Sequence, residues 1–212
     1  MSNCNRGDLL IWENLFAATP EEVWKTAPAS QAMEACRDFF VENGVRSVLD
    51  IGCGVGRWAI YLARNGLQVK GTDFSANAVR IARKWASEEG LSVEFSCLTL
   101  TETAFPDERF DGIVAALILD NVSREEMVIG VNLIRECLVD EGYLFALFNP
   151  IDTREAMDDQ IECENPTAGI TQVNYTNSEI ISSLIGFEVL RQETYEAQMR
   201  AFFLRKSEDR SS

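Results

Sequence analysis

Two hydrophobic rhythms alternate along this chain. Short β-rich segments with apolar runs occupy residues 45–51, 67–72, 91–97, 111–119 and 143–148, and two more follow at 186–193 and 199–205. Between the first five, over residues 57–65, 76–89 and 124–139, apolar positions recur every third or fourth residue, as Ile129, Leu133, Ile134 and Leu138 do. A period near 3.6 gathers side chains on one helix face, whereas an unbroken run suits a strand covered on both faces. The alternation predicts an α/β chain with a mostly parallel sheet. No helical stretch separates the last two runs, so they are expected to pair antiparallel at one side of that sheet.

The punctuation agrees with these rhythms. Gly44, Gly66, Gly90, Gly142 and Gly186 each stand after a helix-patterned stretch and before a β-rich one, where a left-handed residue commonly ends a helix. Ser123 with Glu126, Thr176 with Glu179 and Thr19 with Glu22 have the spacing of a capping box, and Pro20 suits a first helical position. The tail from Lys206 to Ser212 is polar and expected to fray.

Composition narrows the class. At 212 residues and 46% hydrophobic content, one α/β domain is expected. A formal net charge of −15 opposes a nucleic-acid partner. The apolar runs are too short for a membrane span, and the start MSNCNRGDLL lacks a basic-then-apolar leader pattern, so the expectation is a cytoplasmic protein, monomeric or homodimeric. Six cysteines (Cys4, Cys36, Cys53, Cys97, Cys137 and Cys163) show no metal-ligand spacing; Cys36, Cys97 and Cys137 are expected as buried small hydrophobes.

The stretch VLDIGCGVG, residues 48–56, joins the end of the first run to the next helix. Glycines at alternate positions let the backbone pass close to a ligand while the free N–H groups of the helix start face it. The dinucleotide fingerprint is GxGxxG, whereas here the third glycine, Gly56, comes one residue early and Asp50 precedes the first by two.

DIGCGVG resembles the first motif of the class I S-adenosylmethionine-dependent methyltransferases, and the likeness continues through VKGTDFS, FPDERFD and LIRECLVDEGYLFAL over residues 45–205. It implies a three-layer sandwich with a mostly parallel seven-stranded sheet, the last strand antiparallel. It divides the chain into a helical cap (1–44), a cofactor core (45–148), a substrate lid (149–175) and a C-terminal helix with a strand pair (176–205). It assigns Gly52, Gly54 and Gly56 to the turn beneath the methionine part of S-adenosylmethionine, with Cys53 inside that turn, and Asp50 to its amino group. Asp73, 17 residues beyond Gly56, is assigned to both ribose hydroxyls, with Ser75 as the better helix cap beside it. Phe74 is assigned to the adenine or to the core, and Leu117 to the cofactor. Thr99 stands where the family often has an acid for the adenine amino group, which leaves adenine contact to the backbone of Leu98, Thr99 and Leu100.

A methyl group on a sulfonium is already activated, so positioning in a dry pocket can carry the transfer. With no histidine in the chain, Asp120, expected at the carboxyl edge of the fourth strand, is the candidate base or cation holder; it equally suits a cap for the helix near Ser123. The expected substrate is a small molecule with a nitrogen, sulfur or oxygen nucleophile. The acidic segment at 149–175 (Asp152, Glu155, Asp158, Asp159, Glu162, Glu164) suits either a cationic acceptor or a solvated surface. Trp12, Trp24 and Trp58 are placed either on the pocket wall or in helix–sheet packing. A non-catalytic cofactor-binding sensor or scaffold is the alternative from another class, and a nicotinamide dehydrogenase a weaker one.

Overall fold

A computed structural model describes residues 6–26, 29–102, 108–151 and 172–207. Three helices lead, α1 (Arg6–Ala18), α2 (Glu21–Thr26) and α3 (Gln31–Glu42). Strands and helices then alternate through β1 (Ser47–Ile51), α4 (Arg57–Arg64), β2 (Gln68–Asp73), α5 (Ala76–Glu88), β3 (Glu94–Cys97), β4 (Phe110–Ala116), α6 (Arg124–Cys137) and β5 (Leu138–Phe148). The chain ends on α7 (Asn177–Ser183), β6 (Phe187–Thr194) and β7 (Arg200–Lys206). The strands form one seven-stranded sheet in the order β3-β2-β1-β4-β5-β7-β6; β7 is antiparallel to both neighbours, and the other pairs are parallel. This is the α/β sheet expected from the sequence, with its last strand reversed.

Successive residues of each strand enter opposite layers, which is why the central strands read as unbroken apolar runs. Val48, Val114, Phe145 and Phe203 join Phe39 of α3, Ile60 of α4 and Trp85 of α5. Leu49, Ile113, Leu144 and Phe202 join Met127 and Ile134 of α6 and Ile180 of α7. Burial of each such large side chain contributes about 1.5–3 kcal/mol. The register between β1 and β4 is pinned where Asp111 Oδ2 accepts from the N–H groups of Arg46 and Ser47, both at 2.9 Å, and Ser47 Oγ accepts from Asp111 N–H at 3.0 Å. A slip by one residue would break these bonds and turn every core side chain to the wrong layer.

Local expectations meet the structure unevenly. Gly44, Gly66, Gly90 and Gly186 have φ of 72°, 87°, 67° and 83°, as helix-ending glycines should. Gly142 does not; the helix passes directly into β5 at Leu138, and the left-handed residue is Glu141, with φ 60°. A Cβ at Gly142 would come within 2.9 Å of the Val139 carbonyl, so close backbone approach is the reason for that glycine. Both Ser123–Glu126 and Thr176–Glu179 close as capping boxes. Thr19 instead gives its hydroxyl to the Leu15 carbonyl at 2.8 Å and so closes α1 rather than opening α2. Cys36 and Cys137 are buried as expected, whereas Cys97 is exposed and donates its Sγ–H to the Phe74 carbonyl at 3.1 Å. The acidic residues assigned to a lid between 152 and 171, the FPD of FPDERFD, Cys4, Cys163 and the tail beyond residue 207 lie outside the described residues.

Candidate active site

The sheet order reverses between β1, whose chain continues to β2 on one side, and β4 on the other. A crevice opens at the carboxyl ends of the strands at such a point, and ligands of open α/β sheets bind there. The cleft found here is lined by Gly52 and Gly54 after β1, Asp73 and Phe74 at the end of β2, and Thr99, Leu100 and Thr101 after β3. The segment from β4 to α6 adds Leu117, Ile118, Asn121, Val122, Ser123 and Glu126, and α1 adds Leu9, Trp12 and Phe16.

All three glycines of the turn are left-handed, with φ of 68° at Gly52, 53° at Gly54 and 86° at Gly56. Any other residue there would carry a backbone penalty of about 1–2 kcal/mol. Their surroundings differ. A Cβ on Gly52 would sit 2.9 Å from Ile118, while one on Gly54 would project to 3.5 Å from Phe16. A Cβ on Gly56 would strike Ala82 at 3.0 Å and Phe95 at 3.1 Å. Gly56 is therefore needed for the close packing of the turn against α5 and Phe95, and it is not among the residues that line the cleft. Cys53 also faces the core rather than the cleft.

Asp50 has a structural role of its own. As an in-strand residue it points into the layer of α3 and α4, where it is 1% exposed and its Oδ2 accepts from Ala59 N–H at 3.0 Å. Gly56 precedes α4 with no side chain to cap it, so Asp50 supplies the acceptor that this helix start lacks. Burial, and secondarily the Asp73 charge, push its carboxyl up to about 7 against the lowering effect of the Ala59 bond.

Asp73 combines a turn role with a cleft role. Its Oδ1 accepts from Ser75 N–H and its Oδ2 from Gly54 N–H, each at 2.9 Å, which ties the β2–α5 turn to the glycine turn. Each carboxylate oxygen keeps a second lone pair. Burial raises the carboxyl to about 6, opposed by those two bonds and helped by nearby Glu13. Ser75 caps α5 by accepting from Ala78 N–H at 3.0 Å.

Apart from Trp12, the sequence reading did not single out the partners that α1 contributes. Glu13 reaches across to α5, where it accepts from the Ser75 hydroxyl and from Asn77 Nδ2, the latter at 2.9 Å. This holds Leu9, Trp12 and Phe16 against the cleft. Their i, i+3, i+7 spacing marks one helix face in the sequence, although nothing there names what the face covers. Trp24 packs on Phe16 with ring centroids 6.0 Å apart, and Trp58 packs on Phe145 at 5.4 Å, so of these tryptophans only Trp12 lines the cleft.

At the β3 end, Thr99, Leu100, Phe74 and Leu117 meet in the cleft, whereas Leu98 holds the turn by donating its N–H to the Asp73 carbonyl at 3.0 Å. Leu117 is left-handed, with φ 57°, an unusual conformation for a branched residue that directs the chain out of β4 along the cleft. Asp120 is 1% exposed and is not among the cleft-lining residues. It does not cap α6, whose cap is Ser123; its Oδ2 accepts from Asn149 N–H at 2.7 Å and Asn149 Nδ2 at 3.1 Å. Arg200 lies nearby, donating to the carbonyls of Asn149 at 2.9 Å and Tyr175 at 2.6 Å. Burial raises the Asp120 carboxyl against these opposing influences.

Comparison with known proteins matches this geometry. Residues 48–142 match a family model described as a methyltransferase domain. A ubiquinone biosynthesis O-methyltransferase of Bradyrhizobium diazoefficiens is 38% identical over 96 residues, covering 42% of this chain and 37% of that protein. The chain spans about a third to a half of the length of the curated relatives it matches. Among solved structures, an S-adenosylmethionine-dependent methyltransferase from Clostridium acetobutylicum shares the fold with a TM-score of 0.73 at 13% identity, over 92% of this chain and 98% of that one. So does the magnesium protoporphyrin IX methyltransferase of Synechocystis PCC 6803 with bound S-adenosylhomocysteine, with a TM-score of 0.69 at 22% identity over 84% and 83% of the two chains. Over residues 48–142 the chain is thus similar to a methyltransferase domain, and its sheet has the fold of the solved S-adenosylmethionine-dependent methyltransferases.

Proposed function

We propose that the chain catalyses transfer of a methyl group from S-adenosylmethionine to a small molecule bearing an oxygen, nitrogen or sulfur nucleophile. The observation that carries this reading is the cleft itself, in which Gly54 leaves backbone room beside the Asp73 carboxylate at the carboxyl edge of the sheet. The residues present fit the cofactor. Asp73 has two lone pairs left for a ribose diol, Phe74, Leu100, Ile118 and Val122 offer apolar surface for a flat base, and the nearby carboxylates suit a cationic group. The relatives' name, O-methyltransferase, favours an oxygen acceptor.

When bound, S-adenosylmethionine supplies a methyl group whose departure leaves a neutral thioether. What remains for the chain is to hold two partners in line and exclude water, a positioning task that intramolecular reactions show to be worth several kcal/mol. Gly52 and Gly54 bring the backbone close, Asp73 fixes the sugar, and Leu9, Trp12 and Phe16 cover the cleft with apolar surface. Asp120 acts through Asn149 as a positioning residue rather than as a base, because its buried carboxylate, bound to Asn149 through Oδ2 and with Oδ1 unpartnered among the described residues, does not line the cleft. Asp120→Asn is thus expected to leave the pH profile of kcat unchanged, and loss of its acidic limb would return Asp120 to the role of base. The free cysteines Cys36, Cys53, Cys97 and Cys137 are consistent with a reducing cytoplasm.

The test of acceptor class is to supply methyl-labelled S-adenosylmethionine with separated metabolite, protein and RNA fractions of a cell extract. Label is expected in the metabolite fraction. Label confined to protein or RNA would overturn the small-molecule reading while leaving methyl transfer intact.

A further inference from the structure

Helix α1 stands over the cleft without belonging to either main core. Its described side chains enter only a small cluster, in which Phe16 meets Val55, Ala78 and Ile81 with Trp12 and Trp24 at the margin. A Cβ at Gly54 would meet Phe16 at 3.5 Å, so the helix lies directly across the glycine turn. The α2 helix extends this cap onto α5 through ion pairs near the surface, Lys25 with Glu88 and Lys84 with Glu21, each at 2.6 Å. Such pairs contribute little in water. A helix attached by so little apolar surface belongs to the part of a fold that opens at low free energy while the cores beneath stay shut.

One contact is of a different kind. Glu13 Oε2 accepts from the Ser75 hydroxyl, and its Oε1 accepts from Asn77 Nδ2 at 2.9 Å and from Asn77 N–H at 3.3 Å. The carboxylate thus caps α5 from another helix, where unpaired N–H groups and the positive end of the dipole favour it. Ser75 joins this catch to the ligand acid, because its N–H donates to Asp73 Oδ1 at 2.9 Å while its hydroxyl donates to Glu13. Two carboxylates draw on the donors of one residue, and the charge of Glu13 works against that of Asp73. Hydroxyl groups of a ligand diol that donate to Asp73 lower this repulsion, so the catch holds better when the cleft is filled. We propose that α1 is a moving wall of the cleft, that Glu13 is the positioning residue which latches it to Ser75 and Asn77, and that a ribose on Asp73 tightens the latch through Ser75. This latch rests on the cofactor reading above and adds how the cofactor enters and is retained.

Trp12, on the cleft wall, reports the binding of S-adenosylhomocysteine in stopped-flow fluorescence. Glu13→Ala is expected to raise the association rate constant at least about threefold and the dissociation rate constant about tenfold, the latter matching one lost bond assisted by a charge. A fixed wall that only touches the ligand would change dissociation alone, so an association rate unchanged in Glu13→Ala would overturn the latch. Asn77→Ala removes one donor to Glu13 at a helical position that alanine suits, so it keeps the fold and should shift both rates the same way by a smaller factor. Hydrogen exchange of the α1 amides reads the coupling. Saturation with S-adenosylhomocysteine should slow it more than saturation with the analogue that lacks both ribose hydroxyls, and equal slowing by the two would overturn the link through Ser75. Failure of wild type to bind S-adenosylhomocysteine would overturn the cofactor reading and the latch with it, whereas binding with an unmoved association rate sinks the latch alone.

Discussion

Replacing Asp73 by alanine should separate the two jobs of this carboxylate. In the free protein it satisfies the N–H groups of Gly54 and Ser75, both at 2.9 Å. Leaving those donors without partners costs about 1–3 kcal/mol each, and for a chain of this size each kcal/mol lowers Tm by roughly 2–4 °C. Thermal unfolding without ligand should therefore show a drop on the order of 10 °C. The ligand effect comes on top of this. Two remaining lone pairs facing a diol give two bonds to a charged acceptor, about 1.5 kcal/mol each at the lower end because the free diol is hydrated. Together they make about 3 kcal/mol, or on the order of a hundredfold in Kd. Calorimetric titration with S-adenosylhomocysteine at pH 8 measures this, since Asp73, raised to about 6, is ionised there. In wild type the same bonds should weaken as pH falls through 6, by roughly tenfold per unit below it, because a proton then competes with the diol. An unchanged Kd in a folded Asp73→Ala variant, or a wild-type Kd that is flat from pH 8 to pH 5, would refute the reasoning.

Two further substitutions probe the turn. Asp50→Asn should stabilise the ligand-free protein at pH 8 by up to about 4 kcal/mol and have little effect near pH 4. The folded carboxyl sits at about 7 against 3.8 when unfolded, so its contribution is fully present below 3.8 and is lost as pH rises to 7. A Tm gain that is the same at both pH values would contradict this. Gly56→Ala combines a left-handed backbone with contacts near 3.0 Å to Ala82 and Phe95, so it should cost at least 2 kcal/mol or so in urea unfolding. Gly54→Ala, with 3.5 Å of clearance, should cost only the backbone part of that, and equal losses would show that packing is not the difference.

The fold was legible because each local signal agreed with the whole. Ile113 to Ala115 is unbroken, and Val48 to Ile51 is broken only by Asp50, because the apolar residues of both feed two cores, and four of the five punctuating glycines end helices as read. Gly142 misled because its need is steric and depends on the Val139 carbonyl, which no local pattern reveals. In the site, Asp73, Phe74, Gly52 and Gly54 could be read from the turn after β1 and the end of β2. Asp50 could not, since strand alternation turns it inward to serve a helix whose own cap is glycine. The contribution of α1 was half visible: Leu9, Trp12 and Phe16 share a face in the sequence, but the docking of Glu13 on Ser75 joins positions 62 residues apart.

The central claim is that this cleft transfers a methyl group rather than merely holding a cofactor. Its most direct measurement is product formation on a small-molecule extract supplied with methyl-labelled S-adenosylmethionine, following S-adenosylhomocysteine and labelled product together by mass spectrometry. The account predicts that the two form in equal amounts with wild type and that both fall by at least tenfold with Asp73→Ala at limiting cofactor. Tight binding of S-adenosylmethionine without formation of S-adenosylhomocysteine, across extracts from varied growth conditions, would contradict it and identify the chain as a binding protein.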